Sequence, residues 1–191
     1  MAKFIKAYNK LLGFEGGYSM DPDDKGKETY KGISRVYHPN WEGWKLIDYY
    51  KTCYPGIFET KFNSNLTLQK LVESFYKKEY WDYFQCDDIK SQDIAEELFE
   101  SSVNIGKKRV TMFLQQSLNL LNKNQALFND IKEDGVFGKN TKYTIDVCIS
   151  NKKDEKYLFN LLNIFQGYKY IQSAQEKFIR GWLGRIKIKK K

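Results

Sequence analysis

The chain has 191 residues, a net charge of +8 and 16% aromatic side chains, enough for one large or two small domains with a substantial core. Its one histidine, His38, and three widely spaced cysteines, Cys53, Cys86 and Cys148, supply neither a zinc motif nor a disulfide framework. No stretch of eighteen apolar residues offers a membrane span, and no helix-turn-helix, zinc-finger or RNP-type signature supports specific nucleic-acid binding despite the basic charge.

In chain order, apolar residues at helical spacing predict helices over 2–14, 66–82, 91–121 with a break at Gly106, 138–149 and 155–183. Lys6, Asn9 and Lys10 interrupt the first, so it is not the apolar core of a signal peptide. The expectation is synthesis in the cytoplasm without a recognisable signal, so that any exit uses another route. No long strict alternation marks a large sheet, so β structure is confined to a small hairpin within 17–35. The fold class expected is mainly α with a small β-hairpin.

The first helix and the segment after it carry the chemistry. Phe4, Tyr8, Leu11 and Leu12 form one apolar stripe, and Glu15 falls on the same face, directly before Gly16 and Gly17. Burial near Phe4, Tyr8 and Phe14, together with the negative end of the helix dipole, disfavours the charged carboxylate and raises its pKa. A carboxylic acid protonated near neutrality suits protonation of a leaving glycosidic oxygen.

The following turn-rich segment holds Asp21, Asp23, Asp24, Glu28 and Thr29 among Pro22, Gly26 and Gly32. Glycoside cleavage calls for a second oxygen group across the sugar, and Asp24 and Thr29 are the candidates. The acidic run lacks the spacing of a calcium loop. No metal or cofactor is expected, and His38 has no serine elbow to serve.

The string EGGYSMDPDD, then Gly26 and ETYKGIS, resembles the signature of glycoside hydrolase family 108, a group of phage and bacterial N-acetylmuramidases within the lysozyme superfamily. The resemblance implies a lysozyme-like α+β architecture and makes Glu15 the catalytic residue. In that architecture the acid-bearing helix and the hairpin form one wall of a cleft, and C-terminal helices form the other. The wider phage-lysozyme pattern is a Glu, eight residues, an Asp or Cys, five residues, and a Thr. Here eight residues separate Glu15 from Asp24 but four separate Asp24 from Thr29, which puts Tyr30 in register. Lys27 stands where the family usually has a second glycine.

Gly17, Tyr18, Asp21, Tyr30, Trp41 and Trp44 are candidate substrate-binding residues. The two tryptophans, three apart, are expected on one helical face, either in the core or in a sugar-binding cleft.

Residues LFESSVNIGKKRVTMFLQQSLNLLN and EDGVFGKNTKYTI resemble the predicted peptidoglycan-binding domain that follows the family 108 region. Asp134, Gly135, Gly138 and Thr141 match its D-G-x-x-G-x-x-T element, which is either a wall-binding feature, with Asp134 and Gly135 as contacts, or a plain turn opening a helix. The organisation expected is a catalytic region over 1–95 and a peptidoglycan-binding region over 96–191, packed separately or as one unit.

The terminal RIKIKKK reads as a solvated extension or as an attractor of anionic wall polymers. Peptidoglycan glycan strands are the expected partner, and an N-acetylmuramidase, cleaving between N-acetylmuramic acid and N-acetylglucosamine, the implied activity. A wall-binding protein without catalysis, or a secretion or lysis accessory, is the rival reading; some relatives carry a "secretion activator" label.

Overall fold

A computed structural model of the protein describes residues 1–13, 17–21, 26–173 and 176–189, with the backbone alone for 176–178. The chain forms two compact units, Ile5–Glu79 and Tyr80–Lys191 together with Met1–Phe4.

In the N-terminal unit, helix α1 (Phe4–Leu12) turns Tyr8 and Leu11 inward, and Tyr8 meets Tyr76 at 6.1 Å between ring centroids. Three short strands follow, β1 (Tyr18–Met20), β2 (Glu28–Tyr30) and β3 (Ile33–Ser34), forming an antiparallel sheet in chain order. Strands β2 and β3 are joined by Lys31 and Gly32, both at positive φ, as the tight two-residue hairpin turn requires.

The register pairs Tyr18 with Tyr30 and Ser19 with Thr29, and Thr29 with Ser34 and Tyr30 with Ile33. One face therefore presents Tyr18, Glu28, Tyr30 and Ile33, and the other presents the three hydroxyls of Ser19, Thr29 and Ser34. Tyr30 and Ile33 are fully buried, each stabilising the unit by roughly 1.5–3 kcal/mol.

Helices α2 (Gly43–Cys53) and α3 (Glu59–Phe62) were not signalled by the periodicity, which is short and broken there. Helix α4 (Leu66–Tyr76) starts where the Asn65 side chain accepts a hydrogen bond from the Leu68 amide at 2.8 Å. It buries Leu68, Val72, Phe75 and Tyr76. The expected helix over 66–82 continues as a π-helical turn over Lys77–Trp81.

The C-terminal unit is built around α5 (Gln92–Ile105), whose nine buried residues run from Ile94 to Ser102. Ser91 caps it, accepting from the Ile94 amide and donating to Glu155 at 2.5 Å. Gly106, at φ +88°, separates α5 from α6 (Lys107–Leu121) at the expected break. Helix α7 (Lys139–Ile149) and the long α8 (Lys152–Gln172) complete the packing, with α8 against α5, α6 and α7. The single helix expected over 155–183 is instead two, α8 and α9 (Glu176–Leu183), because α8 stops at Ser173.

The basic tail is not a solvated extension as far as residue 189. The Asn163 side chain accepts from the Lys187 amide at 2.6 Å. The Asn160 side chain accepts from the Lys189 amide at 2.9 Å and donates to its carbonyl at 3.1 Å. Lys187 pairs with Glu100 and Lys189 with Asp93, so two of the tail's cations are neutralised within the fold.

Candidate functional site

Two of the three expected catalytic residues, Glu15 and Asp24, lie outside the described residues, as do Phe14, Gly16, Pro22 and Asp23. What is described is the frame on either side: α1 through Leu12, and the sheet from Tyr18 onward. Gly17 is exposed, and its carbonyl accepts from the Lys31 amide at 3.0 Å. Asp21 is exposed just beyond β1, and its amide donates to the Lys27 carbonyl at 3.4 Å.

Lys27 adopts φ +51°, the left-handed conformation in which a glycine is unstrained. This gives a physical reason for the glycine usual in the family. The lysine preserves the turn at a conformational cost.

Thr29 and Tyr30 point to opposite faces of β2. Thr29 is half-buried on the hydroxyl face, with Ser19 and Ser34 opposite it. Tyr30 is buried, and its hydroxyl accepts from Gln69 Nε2 at 2.9 Å. Burial raises its pKa, with Gln69 opposing the shift.

Tyr18 and Glu28 form a polar cluster beneath the sheet. Glu28 accepts from the Tyr18 hydroxyl at 2.9 Å and pairs with Lys51 at 2.9 Å and Arg35 Nε at 2.7 Å. Arg35 also pairs with Asp48 at 2.6 Å and lies over the Trp44 ring at 4.5 Å. Burial of Tyr18 raises its pKa, the Lys51 hydrogen bond working against it. These groups tie the sheet to α2, a role for Glu28 that the sequence did not signal.

Trp41 and Trp44 do not share a helical face, since α2 begins at Gly43, after Trp41. The Trp41 ring folds back over Gly43 so closely that a Cβ there would stand 2.2 Å from it; only glycine fits. Trp44 is core and donates from Nε1 to the His38 carbonyl at 2.8 Å. Trp41 is half-buried, stacks on Tyr30 at 6.4 Å and lines a cavity of about 510 Å³ with Tyr37, His38, Asn40, Phe75 and Glu79. His38 packs edge-on against Phe75 at 4.7 Å. This cavity joins loop and α4 residues distant in sequence, so periodicity could not reveal it.

In the C-terminal unit the D-G-x-x-G-x-x-T element is a clamped turn. The buried Gln115 of α6 donates from Nε2 to Asp134 at 3.1 Å and to the Val136 carbonyl at 3.1 Å, and its Oε1 accepts from the Gly135 amide at 2.9 Å. Asp134 also accepts from the Val136 amide at 2.9 Å, and this bond, with Gln115, holds its pKa below the usual carboxylate range. Gly135 has φ +74°, and a Cβ there would lie 2.8 Å from the Lys108 carbonyl oxygen. Gly138 precedes α7, and Thr141 is buried beside Gln115.

None of the three cysteines forms a disulfide; Cys53 is exposed and the other two are buried. Among the described residues no group of three His, Cys, Asp or Glu side chains is placed to hold a metal ion. No described helix is long and apolar enough to cross a membrane.

The family model for glycosyl hydrolase 108 matches residues 8–106, more than half of the chain. The chain belongs to the glycosyl hydrolase 108 family. Residues 109–187 match a second model, described as a predicted peptidoglycan domain. The two models meet between 106 and 109, at the glycine break between α5 and α6. Among solved structures, one described as the structure of Brucella abortus SagA is similar at 22% identity, with 96% of this chain and 88% of that chain covered and a TM-score of 0.65. That likeness is one of fold. No curated protein matches the chain. A glycoside hydrolase family joined to a peptidoglycan domain supports a peptidoglycan hydrolase.

Proposed function

We propose that this family 108 member is an N-acetylmuramidase that cleaves the β-1,4 bond between N-acetylmuramic acid and N-acetylglucosamine, with Glu15 as general acid. The observation that carries the reading is the family match, which spans the whole Glu15–Thr29 stretch and whose catalytic glutamate corresponds to Glu15. The region of the hydrolase match, residues 8–106, supplies the catalysis, and the region of the peptidoglycan match, residues 109–187, holds the wall.

Glu15 donates its proton to the leaving sugar oxygen, and Asp24 stabilises the oxocarbenium-like state or helps activate water. Of the two residues that could complete the site, Thr29 is favoured: it stands on the hydroxyl face of the sheet, whereas the Tyr30 hydroxyl is held inward by Gln69. The half-buried Trp41 ring, in the wall of the 510 Å³ cavity, offers a flat surface for a pyranose. The enzyme acts on glycan strands after release or export to the wall.

The test is incubation of wild type and Glu15→Gln with isolated sacculi, following turbidity, new reducing ends and fragment mass. Clearing by wild type with reducing muramic acid at the new ends, and loss of about 10²–10⁴-fold in the variant, is the expected result. Near-native hydrolysis by Glu15→Gln overturns the assignment of the acid. Sedimentation of both proteins with sacculi and no sugar release overturns the enzyme in favour of a binding module.

A further inference from the structure

The sequence stretch around Gly106 builds a second cavity, wholly within the C-terminal unit, that the proposed chemistry does not use. It measures about 750 Å³ and is lined by Tyr83, Lys107, Lys108, Arg109, Met112 and Phe113 among others, with no aspartate or glutamate among the described residues of its wall. Gly106 ends one helix and opens the next at its rim, and beyond its Cα there is open space.

Three consecutive cations therefore stand at one apolar hollow. Lys107 lies over the rings of Tyr80 and Tyr83, at 5.5 and 5.3 Å from their centroids. Lys108 and Arg109 are exposed. Arg109 also borders an adjoining hollow of about 320 Å³ with Lys169, Tyr170 and Trp182, which extends the basic strip. The aromatic wall is fixed in place: Phe113 stacks on Phe165 at 5.0 Å, and Tyr83 meets Phe84 edge-on at 4.8 Å.

Rings and a methionine beside the exposed Lys108 and Arg109 suit a ligand that carries methyl groups next to free carboxylates. A phosphate polymer would engage the cations and leave the apolar floor unused. Asp134 and Gly135, the alternative wall contacts, are committed to the Gln115 clamp.

We infer that the Tyr83–Lys107–Arg109–Phe113 cavity binds the lactyl-peptide stem of peptidoglycan, its alanine methyls on the rings and its carboxylates on Lys108 and Arg109. The inference rests on peptidoglycan as substrate and is independent of which bond is cut.

The test is calorimetric binding of the full chain to the disaccharide N-acetylglucosaminyl-N-acetylmuramic acid carrying a tetrapeptide, which contains no muramic-to-glucosamine bond for the proposed enzyme to cleave. The same sugar without peptide and a wall teichoic acid are the comparison ligands. Wild type is expected to bind the peptide-bearing sugar at least tenfold more tightly than the bare sugar. Lys108→Gln with Arg109→Gln, both exposed and keeping much of their stems, is expected to weaken it by about 10–100-fold, as loss of two charge-assisted contacts predicts. Tyr83→Ala is expected to weaken it as well.

Equal affinity for the two sugars, or an undiminished affinity in the double variant, overturns the inference. So does tight teichoic acid binding that the double variant abolishes while stem binding is absent. Stem binding without sacculus hydrolysis would sink the muramidase and spare the cavity, and hydrolysis without stem binding would do the reverse.

Discussion

Glu97 to glutamine should make the protein more stable above neutrality and remove part of its pH dependence. Glu97 is buried on α5, where it accepts from the Ser101 hydroxyl at 2.8 Å. Loss of solvent is the main cause that raises its pKa to about 7; the neighbouring Glu100 adds to it, and Ser101, Asn163 and Lys187 oppose it. Lys187 of the tail pairs directly with Glu100.

With an unfolded value of 4.5 and a folded value of about 7, the folded chain holds a proton that the unfolded chain has released between those limits. Stability then falls as pH rises through that window and is lower by about 3 kcal/mol above it, at 1.36 kcal/mol for each pKa unit. Glutamine carries no charge at any pH, so the difference between variant and wild type should grow from near zero at pH 4 to at most about 3 kcal/mol at pH 8. Urea denaturation of both proteins across that range measures the difference directly, with other titrating groups cancelling. A constant difference, or a variant less stable than wild type at pH 8, would refute the reasoning.

Four further outcomes are expected. Glu15→Gln should lose about 10²–10⁴-fold of sacculus hydrolysis with an unchanged circular dichroism spectrum. Thr29→Val should lower hydrolysis, whereas Tyr30→Phe should retain it and lose about 1 kcal/mol of stability with the Gln69 hydrogen bond; the opposite pattern in turnover assays would move the role to Tyr30. Gln115→Leu should cost about 1–3 kcal/mol in thermal or urea unfolding, because it strands the buried Gly135 amide. Lys27→Gly should raise stability by up to about 1 kcal/mol by relieving its positive φ, and a fall in melting temperature would contradict that.

Much of the secondary structure was legible because helical periodicity and glycine punctuation are local. The break at Gly106, the start of a helix at 66 and β structure confined to 17–35 followed from such signals. Helix α2 was not legible, since its inward residues Trp44 and Ile47 are too few to establish a period. The split between α8 and α9 was hidden by apolar spacing that continues across Ser173. Glu28 gave no signal of its own, because its value lies in Tyr18, Arg35 and Lys51, which only folding gathers.

The sequence alone determined the family, through a fixed string of residues around Glu15, and the mainly helical class, through spacing along one chain. Tertiary structure decided how residues of like chemistry divide their work. Trp44 went to the core and Trp41 to a cavity because Gly43 lets one indole fold back. Asp134 and Gly135 became a clamped turn because Gln115, twenty residues before the glycine, reaches them. Two tail lysines found carboxylates on α5 because Asn160 and Asn163 hold the tail against α8. Each outcome depends on which side chains meet across space, and periodicity along the chain carries no information about that.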